Sequence, residues 1–109
     1  MAYDEGLAEQ MRDDLAQLED IKEVRMFGGL CFMHQGHMLC GIHKDGALYR
    51  VGKESHAAAL AFEGVEKMTM TGRPMGGMVD VGFDALADDN LRSVLLTMAL
   101  EFTASLPAK

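Results

Sequence analysis

Basic residues are scarce: ten Lys and Arg stand against seventeen Asp and Glu, a formal charge of −7. Nucleic-acid binding draws most of its affinity from cations that neutralise phosphates, and the few cations here are scattered along the chain. Direct, autonomous binding to DNA is therefore not expected. No apolar run approaches the ~20 residues that span a bilayer, and Met1-Ala2-Tyr3-Asp4-Glu5 has neither a basic n-region nor an apolar segment behind it. A cytoplasmic protein without a membrane partner is expected. The two cysteines, Cys31 and Cys40, are then expected as thiols in a reducing compartment. There is also no internal repeat, low-complexity tract or linker, so residues 1–109 are expected to form a single domain.

The apolar share of 49% and the charged share of 25% are those of a folded domain. Leu7, Met11, Leu15 and Leu18 recur at helical spacing, with Asp4 as N-cap, which predicts a helix from about Asp4 to Leu18. Three short strand-like segments follow, Arg25–His34, Met38–His43 and Ala47–Val51, separated by Gln35-Gly36 and Asp45-Gly46. Glu54–Phe62 has helix-forming composition, with Gly64 placed to end it. Val65–Met70 and Met78–Phe83 read as two more strands, joined by a Gly- and Pro-rich loop over Thr71–Gly77. Leu91, Leu95, Met98, Phe102 and Leu106 mark the apolar face of a last helix, capped by Asp88 or Asp89. The order α-β-β-β-α-β-β-α, with hairpin-linked strands, argues for an α+β fold in which helices pack on an antiparallel sheet.

Counting outward from a two-residue turn at Gln35-Gly36 places Cys31 opposite Cys40, at a non-hydrogen-bonded pair where side chains come closest. Such a pair could be a redox couple; the ordinary alternative is two small core side chains. A one-residue change in the turn would break this registration. The same counting points His34 and His37 to the other face, as exposed tip residues, and so argues against a Cys2His2 zinc site. Ten methionines raise copper(I) chemistry, although methionine more commonly fills cores and adaptable contact surfaces. Gly28-Gly29 and Gly76-Gly77 fit no phosphate-loop pattern, and Gly28-Gly29 suggests a bulge or close backbone approach. Arg73, on the Gly/Pro loop, could fork onto a carboxylate of a ligand or partner, or anchor the loop. Met75 and Met78 flank the same glycine pair and are candidates for a partner contact. Ser55 and His56 are adjacent on a helix and do not face each other, and no catalytic, metal-binding or cofactor-binding set stands out.

Met26-Phe27-Gly28-Gly29-Leu30, Met38 with Cys40-Gly41, Arg50-Val51-Gly52, Thr71-Gly72-Arg73-Pro74-Met75 with Gly77, Leu86-Ala87-Asp88-Asp89 and Leu106-Pro107 occur in that order. Together they resemble the TfoX N-terminal domain family, over essentially the whole chain. The resemblance implies a compact α+β domain similar to secretion-chaperone-like folds, with homodimers plausible. It also implies association with regulators of bacterial competence, which act in transcriptional control with partner proteins. It brings no catalytic residues and no cofactor. The expectation is a non-enzymatic regulatory or protein-interaction domain, with a thiol-based redox or small-ligand protein using Cys31 and Cys40 as the alternative.

Overall fold

A computed structural model describes residues 4–26, 28–70 and 73–106, without the side chains of 26, 68–70 and 73–76. Helix α1 (Glu5–Asp14) leads into four strands, β1 (Ile21–Met26), β2 (Gly29–His34), β3 (His37–His43) and β4 (Gly46–Arg50). Helix α2 (Lys53–Leu60) precedes the long hairpin β5 (Val65–Met70) and β6 (Arg73–Gly82), and the described chain closes with α3 (Phe83–Leu86) and α4 (Asp89–Ala104). The strands form one antiparallel sheet of six, in the order β1-β2-β3-β4-β6-β5. The α+β architecture is as the hairpin-linked strand order requires.

Three boundaries differ from the sequence reading. The segment expected as one strand, with a start at Arg25, is two strands: Gly28 at φ +74° separates them, and Arg25 pairs with Leu30. Gly29 does mark a close approach, since any Cβ there would collide with the Ile42 carbonyl. The Gly/Pro segment expected to be irregular is instead mostly strand, because β6 begins at Arg73 and pairs with β5 up to the end of the hairpin. The third difference is at Phe83, which opens the short helix α3 instead of ending a strand.

The caps are those the sequence predicts. Asp4 accepts a hydrogen bond from the Leu7 amide, and Asp88 accepts from Asn90 and Leu91. Every helix contributes to one apolar cluster on one face of the sheet. Leu7, Ala8, Met11, Ala59, Leu86, Leu91, Leu95 and Ala99 meet Leu30, Phe32, Cys40, Ile42, Ala47, Tyr49, Val79 and Val81. The buried stripe of α4 runs through Leu91, Leu95, Ala99 and Thr103. It is turned from the expected Leu91–Leu95–Met98–Phe102 line, which leaves Met98 and Phe102 half-buried at the margin of the helix layer.

Two arginines tie helices to this frame. Arg12 donates through Nε and Nη2 to both carboxylate oxygens of Glu23, each at 2.8 Å, and through Nη1 to Glu9. That fork joins α1 to the edge strand β1 and holds the Glu23 carboxyl below its usual range. Arg92 is buried and donates to Asp14 (3.0 Å), to the Leu86 carbonyl (2.7 Å) and to Asp89 (2.6 Å). It joins the end of α1, the end of α3 and the start of α4.

Replacing Arg92 by Ala leaves the Asp14 carboxylate and the Leu86 carbonyl without their donor. The expected loss is about 2–3 kcal/mol, by the cost of removing a buried charged hydrogen-bonding partner. Urea unfolding monitored by circular dichroism measures it. Arg12→Ala, at an exposed pair, is expected to stay near wild type.

Candidate functional site

The hairpin at Gln35-Gly36 forms as expected: both residues have positive φ and His34 pairs with His37. The registration beyond it does not. Met33 pairs with Met38, but Phe32 pairs with Cys40, so Leu39 has no partner on β2 and forms a bulge in β3. Cys31 therefore lies opposite Gly41, not Cys40. Leu39 and Cys40 are both fully buried in the helix-covered core. Strand alternation places Cys31 on the other face, in the row Val24–Cys31–Gly41–Leu48–Asp80. Both thiols are free and buried, and burial pushes both above the ordinary cysteine range, away from the reactive thiolate. The geometry on which the redox alternative rested is absent. The expectation for His37 is also corrected: it is 7% exposed, not an exposed tip.

The helix-free face has its own character. Leu48 and Met78 are buried there, with Met38 packed against them. Met78, a candidate partner contact at the expected start of a strand, is buried within β6. The side chains of Arg73 and Met75, and residues 71 and 72, lie outside the described residues. On this face the His43 Nε2 donates to Asp80 Oδ1 at 2.7 Å, while its Nδ1 accepts from the Asp45 amide at 3.1 Å. The Asp80 carboxylate raises the His43 pKa above its ordinary value. In the neutral ring both nitrogens are engaged; protonation puts a hydrogen on Nδ1 and gives up the bond from the Asp45 amide.

A concave site lies elsewhere, between the start of α2 and the C-terminal half of α4. It is a cleft of about 690 Å³ bordered by Arg50, Gly52, Lys53, Ser55, Met98 and Phe102, with Glu54 and Glu101 at its sides. The amides of Val51 and Gly52 both donate to the Gly77 carbonyl, at 2.9 and 3.0 Å, and pin the β4–α2 connection to β6. Gly52 has φ +85° and lies against the Phe102 ring, where any Cβ would collide with the ring carbons. Gly52 is also the N-cap of α2 and supplies no side-chain cap. Arg50 holds its guanidinium 5.1 Å from the centroid of Phe102.

Composition and spacing do not mark Arg50, Lys53 or Phe102 as site residues. Arg50-Val51-Gly52 was visible as a strand end followed by glycine and a helix, but Phe102 looked like one more core position of α4. Gly77, distant in sequence, meets this segment only because β6 lies beside β4. The lining holds no histidine or cysteine, and no group of three or more His, Cys, Asp or Glu is placed to hold a metal among the described residues. No helix among them is long and apolar enough to cross a membrane.

The fold and this cleft define a small α+β domain: one antiparallel sheet backed by helices on a single face. The chain belongs to the TfoX N-terminal domain family, whose model matches residues 13–103. No curated protein and no solved structure matches it.

Mild oxidation is expected to produce no internal disulfide. Mass spectrometry should show no loss of two hydrogens, and a colorimetric thiol reagent should react with Cys31 and Cys40 only after denaturant is added. The raised His43 pKa also has a consequence for pH. The stabilisation from the charged His43–Asp80 pair is fully present below the ordinary histidine pKa, about 6.5. It is lost as pH rises through the higher folded value. Unfolding free energy measured across that window should fall with pH in the wild type, and the slope should flatten in Asp80→Asn.

Proposed function

We propose that this chain is a non-enzymatic regulatory domain that acts by binding protein, first of all a second copy of itself, through the helix-free face of the sheet. One observation carries the reading: α1, α2, α3 and α4 all contribute to the cluster on one face, while the opposite face is apolar at its centre. That centre is Leu48 and Met78, with half-buried Met33 and Met38 beside them and Val24, 39% exposed, on the outer strand β1. The exposed Val24 and half-buried Met33 and Met38 extend this buried centre towards the surface, and methionines suit a contact that must adapt.

Membership of the TfoX N-terminal domain family supports a role in transcriptional control with partner proteins, in a cytoplasmic, bacterial setting. The charge of −7 makes protein, and not DNA, the expected partner.

Light scattering at micromolar concentration tests the self-association. The expected species has twice the 11.9 kDa mass of the chain. Val24→Glu and Met33→Glu should return it to monomer with an unchanged circular dichroism spectrum. A wild-type monomer would overturn the reading. A gel shift with duplex DNA at moderate salt is expected to be blank.

A further inference from the structure

Two of the arginines are held by carboxylates. Arg12 is held by Glu9 and Glu23, and Arg92 by Asp14 and Asp89. Arg25 and the lysines among the described residues are not held in this way, and neither is Arg50. It borders the cleft beside α2, held over Phe102, and forms no ion pair with a carboxylate among the described residues. Glu54 and Glu101 line the same cleft without capturing it, and Lys53 next to it is equally unpaired among the described residues. The adjoining wall is apolar, made by the half-buried side chains of Met98 and Phe102. A volume of about 690 Å³ falls within the range of pockets that enclose small organic molecules, and far exceeds what one ion needs.

We propose that this cleft binds a small organic anion with an aromatic body. The body lies against Phe102 and Met98, and its oxyanion, a phosphate or a carboxylate, is gripped by the Arg50 guanidinium with Lys53 adding charge. Arginine suits the task because its planar fork matches both oxyanions in two parallel hydrogen bonds. Contact with the Phe102 face pre-positions the fork, so less side-chain freedom is lost on binding. The first amides of α2 have no side-chain cap and border the same space, where they can add donors. Glu54 and Glu101 give the site its selectivity: they oppose a second anionic group, so the ligand carries its charge at one end only. The cleft lies between α2 and α4 and Arg50 enters it from the end of β4, where its strand partner is Met78; ligand titration and light scattering read the two proposals separately.

The test is a titration of isotope-labelled protein followed by amide nuclear magnetic resonance, with phenyl phosphate, benzoate, inorganic phosphate and benzyl alcohol as probes. Saturable shifts are expected at Gly52, Lys53, Ser55 and Gly77 with phenyl phosphate or benzoate, and which of the two binds more tightly identifies the oxyanion. Inorganic phosphate and benzyl alcohol should bind at least about tenfold more weakly, since each lacks half of the recognised chemistry. Arg50→Gln should raise Kd about tenfold or more, with the spectrum elsewhere unchanged. Arg50→Lys, which keeps the charge but loses the fork, gives the same reading if Arg50→Gln does not fold. Three results would overturn the proposal: no saturable shift at the cleft with either aromatic anion up to about 10 mM, far weaker than a specific site; inorganic phosphate binding as tightly as phenyl phosphate; or an unchanged Kd in the folded Arg50 variant.

Discussion

The bulge at Leu39 determines which side of the sheet each residue of β3 presents. Strand side chains alternate, so one unpaired residue changes the partners of everything on one side of it. Here it lets Leu39, Cys40 and Ile42 all enter the core beneath the helices, while Met38 stays with Met33 on the opposite side. The rows that follow, Phe32–Cys40–Tyr49–Val79 and Leu30–Ile42–Ala47–Val81, are continuous apolar lines across four strands. They are the floor on which α1, α3 and α4 pack. Had the hairpin kept its simple count, Cys31 and Cys40 would have shared a face and those lines would have been broken.

A core confined to one face creates two functional surfaces. On the helix side, the Arg12 fork fastens α1 to β1, and Arg92 ties the start of α4 to the ends of α1 and α3. The direction of α4 then leaves Met98 and Phe102 at the margin, against the Gly52 turn. The cleft is the space left between two helices that the sheet holds apart. On the opposite side no helix packs among the described residues, and the apolar centre of Leu48 and Met78 is flanked by the polar His43–Asp80 pair. Burial of the thiols fits this division: each cysteine serves the packing of its own face.

Much of the fold was legible in the sequence because its signals are local. The helical spacing and aspartate caps of α1 and α4, the Gln35-Gly36 turn and the glycine after α2 each depend on a few neighbouring residues. Family membership was legible in the same way, from short pieces in a recognisable order. The errors arose where a neighbour distant in sequence decides. Residues 73–77 read as loop by composition, yet β6 pairs with both β4 and β5. Phe102 read as core by periodicity, yet the core stripe of α4 runs through Ala99 and Thr103.

Fold class, most elements, net acidity and family are all readable from the order of residues alone. These follow from hydrophobic period, turn chemistry and charge, which act over a few residues or as a simple sum. Only the tertiary structure decided that Cys31 and Cys40 lie on opposite faces, and that Arg50, Gly52, Gly77 and Phe102 converge on one cleft. Register and convergence are settled by packing the whole sheet against its helices, and a single unpaired residue in one strand is enough to change them.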